Sequence, residues 1–135
     1  MELKRALLAC TIAAFSLPAI PFAAAQESLP YSFSAPGCSA QPDSAPVFDA
    51  KGDIYGTCKN SSGDGFVYEL SPKSGGIWTE QVIYTFGSGG STAAGSGPNG
   101  VIFDAKQVNL YGTTSAGGAE GSGVVYELSP NGSGG

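Results

Sequence analysis

The chain has 135 residues, a formal net charge of −5, 21 glycines and no histidine. Its length allows about one modest domain after an N-terminal leader is set aside. The acidic balance excludes a nucleic-acid partner, because no positive cluster is present to displace phosphate counterions; the lack of histidine excludes Ser-His-Asp and Cys-His nucleophile activation and His-ligated zinc.

The first element is a leader. Lys4 and Arg5 precede an apolar run from Ala6 to Phe15, Pro18 and Pro21 interrupt any helix after it, and Ala23-Ala24-Ala25 offers small residues for a cut before Gln26. That order of basic, apolar and small predicts a cleaved signal peptide over 1–25. The apolar run is too short to cross about 30 Å of hydrocarbon, so no membrane span is expected after cleavage. Cys10 lies too close to Arg5 for a lipidation box and reads as an apolar residue of the leader. The expected location is secreted or at the cell surface.

Residues 26–46 form an N-terminal segment. Ser28-Leu29-Pro30-Tyr31-Ser32-Phe33 echoes a strand found later in the chain, and 29–33 is expected to pair as a strand beside the last unit. Cys38 and Cys58 are the thiols left after the leader, and an exported protein meets an oxidising compartment. A bridge between Cys38 and Cys58 is preferred to two free thiols.

The first repeat unit spans 47–86, with strands expected at 47–49, 53–57, 65–71 and 78–86. Ala50-Lys51-Gly52-Asp53 has turn chemistry. Alternation over the last strand places Trp78, Glu80, Val82, Tyr84 and Phe86 on one face and Ile83 on the other. Residues 87–99 read as a Gly/Ser-rich loop.

The second unit, 100–135, repeats the first, with strands expected at 101–103, 109–113 and 123–129. Phe48-Asp49-Ala50-Lys51 returns as Phe103-Asp104-Ala105-Lys106, Ile54-Tyr55-Gly56-Thr57 as Leu110-Tyr111-Gly112-Thr113, and Gly65-Phe66-Val67-Tyr68-Glu69-Leu70-Ser71-Pro72 as Gly123-Val124-Val125-Tyr126-Glu127-Leu128-Ser129-Pro130. The offsets grow from 55 to 56 to 58 residues, so insertions fall between the matched blocks, where loops tolerate them. Gln107-Val108 in place of Gly52 is the first of these. The pattern predicts an all-β fold of antiparallel four-stranded units resembling β-propeller blades. The second unit lacks a counterpart of the Trp78 strand, so the two units read as an incomplete propeller, and a truncated product is the favoured explanation.

Candidate chemistry is sparse. No phosphate-cradling glycine loop leads into a helix. Asp49 and Asp53 flank a turn and Asp104 repeats the first; their capping of turn backbone is preferred to calcium ligation, which needs six to eight oxygens. Glu69 and Glu127 hold equivalent strand positions and are expected to bond a neighbouring strand's backbone, since a catalytic pair needs unlike environments. Trp78, Tyr55, Tyr68, Tyr84, Tyr111 and Tyr126 are expected in the core before any role in stacking on sugars. No catalytic, cofactor-binding or metal residues are nominated.

The doubled string Phe-Asp-Ala, (Ile/Leu)-Tyr-Gly-Thr and Val-Tyr-Glu-Leu-Ser-Pro, with Trp78-Thr79-Glu80-Gln81-Val82-Ile83-Tyr84-Thr85-Phe86 in the first unit, resembles the GloVer-type tandem repeat, a family of exported bacterial proteins also called choice-of-anchor repeat proteins. The resemblance covers most of the chain beyond about residue 46 and implies a propeller-like fold outside the cell and no particular reaction. The expected function is therefore a binding or scaffold module, with loops 58–64, 87–99 and 114–122 as its contact surface and a glycan or protein as its partner. The rival expectations are a fragment of a polysaccharide-acting propeller enzyme and a non-functional truncated fragment.

Overall fold

The computed structural model describes residues 27–33, 38, 42, 44–87 and 94–131. The leader expected over 1–25, with Cys10, lies outside them. The described residues form an all-β structure of two antiparallel sheets. Strands β1 (Val47–Phe48), β2 (Ile54–Lys59), β3 (Gly65–Pro72) and β4 (Trp78–Phe86) make the first sheet in chain order. The second contains β5 (Ser96–Phe103), β6 (Leu110–Ala116) and β7 (Val125–Leu128).

The matched sequence blocks pair in the same register. Ile54, Tyr55, Gly56 and Thr57 oppose Leu70, Glu69, Tyr68 and Val67; Leu110, Tyr111, Gly112 and Thr113 oppose Leu128, Glu127, Tyr126 and Val125. Side chains alternate between the faces of a strand, so this register divides each sheet into an Ile/Leu-Gly-Tyr-Leu face and a Tyr-Thr-Val-Glu face. The two sheets pack with unlike faces together. Val67 and Phe86 of the first are buried against Val101 and Leu110 of the second, with Tyr55, Phe103, Tyr126 and Leu128 around them. Edge-to-face pairs Tyr55–Phe103 and Phe86–Tyr126, at 5.1 and 4.8 Å between centroids, cross the layer.

The other face of the first sheet buries Cys58, Phe66, Tyr68 and Leu70 under Tyr31, Phe33 and Cys38. Cys38 and Cys58 form a disulfide with Cα atoms 5.6 Å apart. Here the structure departs from the expected closure. Residues 29–33 form no strand and do not join the second sheet; they lie on the first, where Tyr31 donates to Glu80 Oε2 at 2.7 Å. The physical reason is the tether: the bridge to β2 draws the preceding aromatics onto the nearest apolar face.

Two further expectations are corrected. Strict alternation over 78–86 fails, because Tyr68 pairs with Val82 while Val67 pairs with Tyr84, leaving Ile83 as the extra residue of a β-bulge. Trp78 therefore faces the N-terminal segment, whereas Tyr84 and Phe86 turn to the opposite core. The loop expected over 87–99 ends early, since β5 begins at Ser96 and Pro98 pairs with Thr114. An irregularity between Pro98 and Val101 admits the proline, which cannot donate to the ladder.

Candidate functional site

Two hairpin turns, 49–53 and 104–109, lie at the same end of the two sheets, and a groove of about 710 Å³ opens between them. Its apolar wall is Ile83, Phe103, Leu110 and Leu128, with the flank of Tyr55. Asp49, Lys51, Lys106, Gln107 and Asn131 form a polar rim of both charges.

The turns are rigid because their aspartates serve the backbone. Asp49 Oδ1 accepts from the amides of Lys51 and Asp53, each at 2.9 Å. Asp104 Oδ1 accepts from Lys106 at 3.2 Å and Val108 at 2.9 Å, and its Oδ2 accepts from the Asn109 side chain at 3.2 Å. These bonds, the Val108 amide first, hold the Asp104 carboxyl below its usual pKa. Asp53, at the end of the first turn, gives its amide to Asp49.

The longer second turn has its own device. Gln107 adopts φ 54°, a left-handed conformation that a glycine, Gly52 at φ 90°, supplies in the first turn. Held there, the Gln107 side chain donates to the Phe48 carbonyl at 3.4 Å and ties one unit to the other at the rim.

Glu69 and Glu127 occupy equivalent places, but their partners differ from those expected. Each accepts from a serine hydroxyl two residues further along the chain, Ser71 at 2.9 Å and Ser129 at 2.8 Å, not from a neighbouring backbone. Each also faces a tyrosine. Burial foremost, and the Glu69 charge beside it, push the Tyr55 hydroxyl far above its usual range. Across the repeat, hydrogen bonding to Glu127 is the first cause that raises Tyr111. Tyr68 is buried, Tyr55, Tyr84, Tyr126 and Trp78 are half-buried, and Tyr111 lies on the outer face of the second sheet instead of in the core.

Asp49 and Glu69, the carboxylates of the groove, accept hydrogen bonds from the turn backbone and from the Ser71 hydroxyl. Among the described residues no three Cys, Asp or Glu side chains converge on a metal-sized space. The groove lies at the opposite end of the strands from the loops first expected to make contact. Those loops are also shorter than expected, because β2 runs to Lys59 and β6 to Ala116. Sequence reasoning overlooked Gln107 as a rim residue, although its replacement of Gly52 was the available signal. Comparison of the chain with protein-family models, curated proteins and solved structures gives no match.

Proposed function

We propose that the chain is an exported binding or scaffold module of the GloVer-type repeat class, with its sheets arranged as neighbouring blades of a propeller-like stack. The groove between the units is its contact surface, and a cell-surface glycan is the ligand. The carrying observation is the groove's combination of an aromatic and aliphatic wall with a rim of amide, lysine and carboxylate groups. Sugars present the same mixture of apolar ring faces and hydroxyl groups, and sites of this kind lie preferentially between packed units. The repeated pattern and the leader of 1–25 support export and surface location.

The test is a glycan array probed with the chain beginning at Gln26, followed by titration of the best binder. Lys106→Ala and Gln107→Ala alter exposed rim positions and are expected to weaken binding about tenfold, the scale of one or two lost hydrogen bonds. An array without binders, or binders indifferent to both substitutions, would overturn the reading. Export is read separately, as accumulation outside the cytoplasm of a protein starting at Gln26.

A further inference from the structure

We propose that the outer face of the second sheet is a docking face for one kind of occupant: the Ile/Leu-Gly-Tyr-Leu face of a further sheet built on the same repeat. The interface already inside the molecule is the template. In the first sheet, Tyr55 pairs with Glu69 and Thr57 with Val67, and this face receives the second sheet. In the second sheet, Tyr111 pairs with Glu127 and Thr113 with Val125, so the same residue types stand in the same register on its outer face.

Local chemistry repeats as well as position. The Ser71–Glu69 bond is reproduced by Ser129–Glu127, and each glutamate faces the tyrosine across from it. Two things differ: among the described residues the second sheet has no counterpart of β4, which brings Tyr84 and Phe86 to the first interface, and its face is uncovered. Val67 is fully buried, whereas its counterpart Val125 is 77% exposed and Ile102 65% exposed. Together with Tyr111 they line a shallow cavity of about 370 Å³. Val125 and Ile102, exposed on either side of β6 on a face whose twin is a core, mark an interaction surface.

The occupant follows from the same template. A Tyr-Thr-Val-Glu face here receives Leu110, Gly112, Tyr126 and Leu128, so its copy is shaped for another such set. The corresponding face of the first sheet, with Ile54, Gly56, Tyr68 and Leu70, is occupied by Tyr31 and Phe33 and held by the Cys38–Cys58 bridge. A second oxidised copy of the chain therefore presents a capped face, and the acceptor is suited to an uncapped repeat unit. The stack has a direction: a disulfide-anchored cap on one end and an acceptor face on the other. This inference rests on packing and is independent of what the groove binds.

The experiment extends the full chain by a tandem copy of residues 87–131 placed after Asn131, and compares it with the unextended chain. Amide exchange over 110–116 is expected to slow about tenfold or more on extension. Val125→Asp is expected to lower the melting temperature by about 5 °C or more in the extended chain, and by less than about 2 °C in the original. Equal effects in both chains, with unchanged exchange over 110–116, overturn the proposal whether or not the added copy is ordered. A dimer of the unextended chain in sedimentation velocity that Val125→Asp converts to monomer would also overturn it, since the face would then pair with itself.

Discussion

The ring of Tyr126 lies over Gly112 on the neighbouring strand, where a Cβ would overlap it, and Tyr68 stands in the same relation to Gly56. The tyrosine covers the gap a side-chain-free residue leaves in the pleat, and its hydroxyl, donated to the Gly100 carbonyl at 3.1 Å, ties β7 to β5 across β6. Two units carry the same pair because both bury that face. Gly112→Ala should therefore destabilise by about 1–3 kcal/mol through overpacking. Urea unfolding is the measurement, and in a Tyr126→Leu background the penalty should shrink but persist, since the ring is gone while the Gly100 carbonyl oxygen still lies against the added Cβ.

The Cys38–Cys58 bridge spans 20 residues and fastens the aromatic cap to β2. A cross-link of that loop length restricts the unfolded chain and contributes roughly 3 kcal/mol in the loop-entropy account. Cys38→Ser is expected to lose about that amount, and reductant should act on the wild type but not on the variant. An unchanged unfolding midpoint in Cys38→Ser would count against any structural role for the cap.

Most strands were legible because apolar residues alternate between turn-forming glycines and aspartates, and because each unit independently repeats the other's pattern. The unforeseen features are all tertiary. Nothing local distinguishes Ile83 as a bulge residue: Trp78 to Phe86 alternate well, and only the existence of different cores on the two faces makes the switch favourable. The path of 29–33 is likewise set by a cross-link at Cys38 and not by its own sequence, whose resemblance to a strand pointed elsewhere. Gly97 and Pro98 read as loop residues, yet in β5 Pro98 is fully buried and approaches Gly65, where only a residue without a side chain leaves room.

The bulge makes a sharp prediction. Deleting Ile83 removes the extra residue and leaves Val82 opposite Tyr68 and Tyr84 opposite Val67 in a regular ladder, so Phe86, 1% exposed, keeps its place in the core between the sheets. The loss should therefore stay below that of emptying the Phe86 site outright, about 3–5 kcal/mol as expected for Phe86→Ala. Replacing Ile83 by valine keeps the bulge and should cost about 0.5–1.5 kcal/mol. Chemical unfolding of the three variants separates a register effect from a side-chain effect.

Alkaline pH should unfold the protein through Tyr126. Burial favours the neutral phenol and pushes its pKa from 10.0 up to about 12. A folded state that holds its proton more tightly than the unfolded chain is fully stabilised below pH 10, and that contribution is lost as pH rises from 10 toward about 12. Tyr55, raised further by burial and by Glu69, adds to the loss in the same direction. Tyrosinate absorbance from Tyr126 and Tyr55 should therefore appear above the ordinary phenol range, together with loss of the β-sheet circular dichroism. Tyr126→Phe removes one titrating group and should shift the unfolding stage to higher pH, provided the lost bond to Gly100 does not lower stability at neutral pH by more than about 1 kcal/mol. Urea unfolding at neutral pH measures that second quantity directly. If Tyr126 and Tyr55 instead titrate in the ordinary phenol range while the sheets remain intact, burial does not control them and the packing of Tyr126 between Gly112 and Phe86 is wrong.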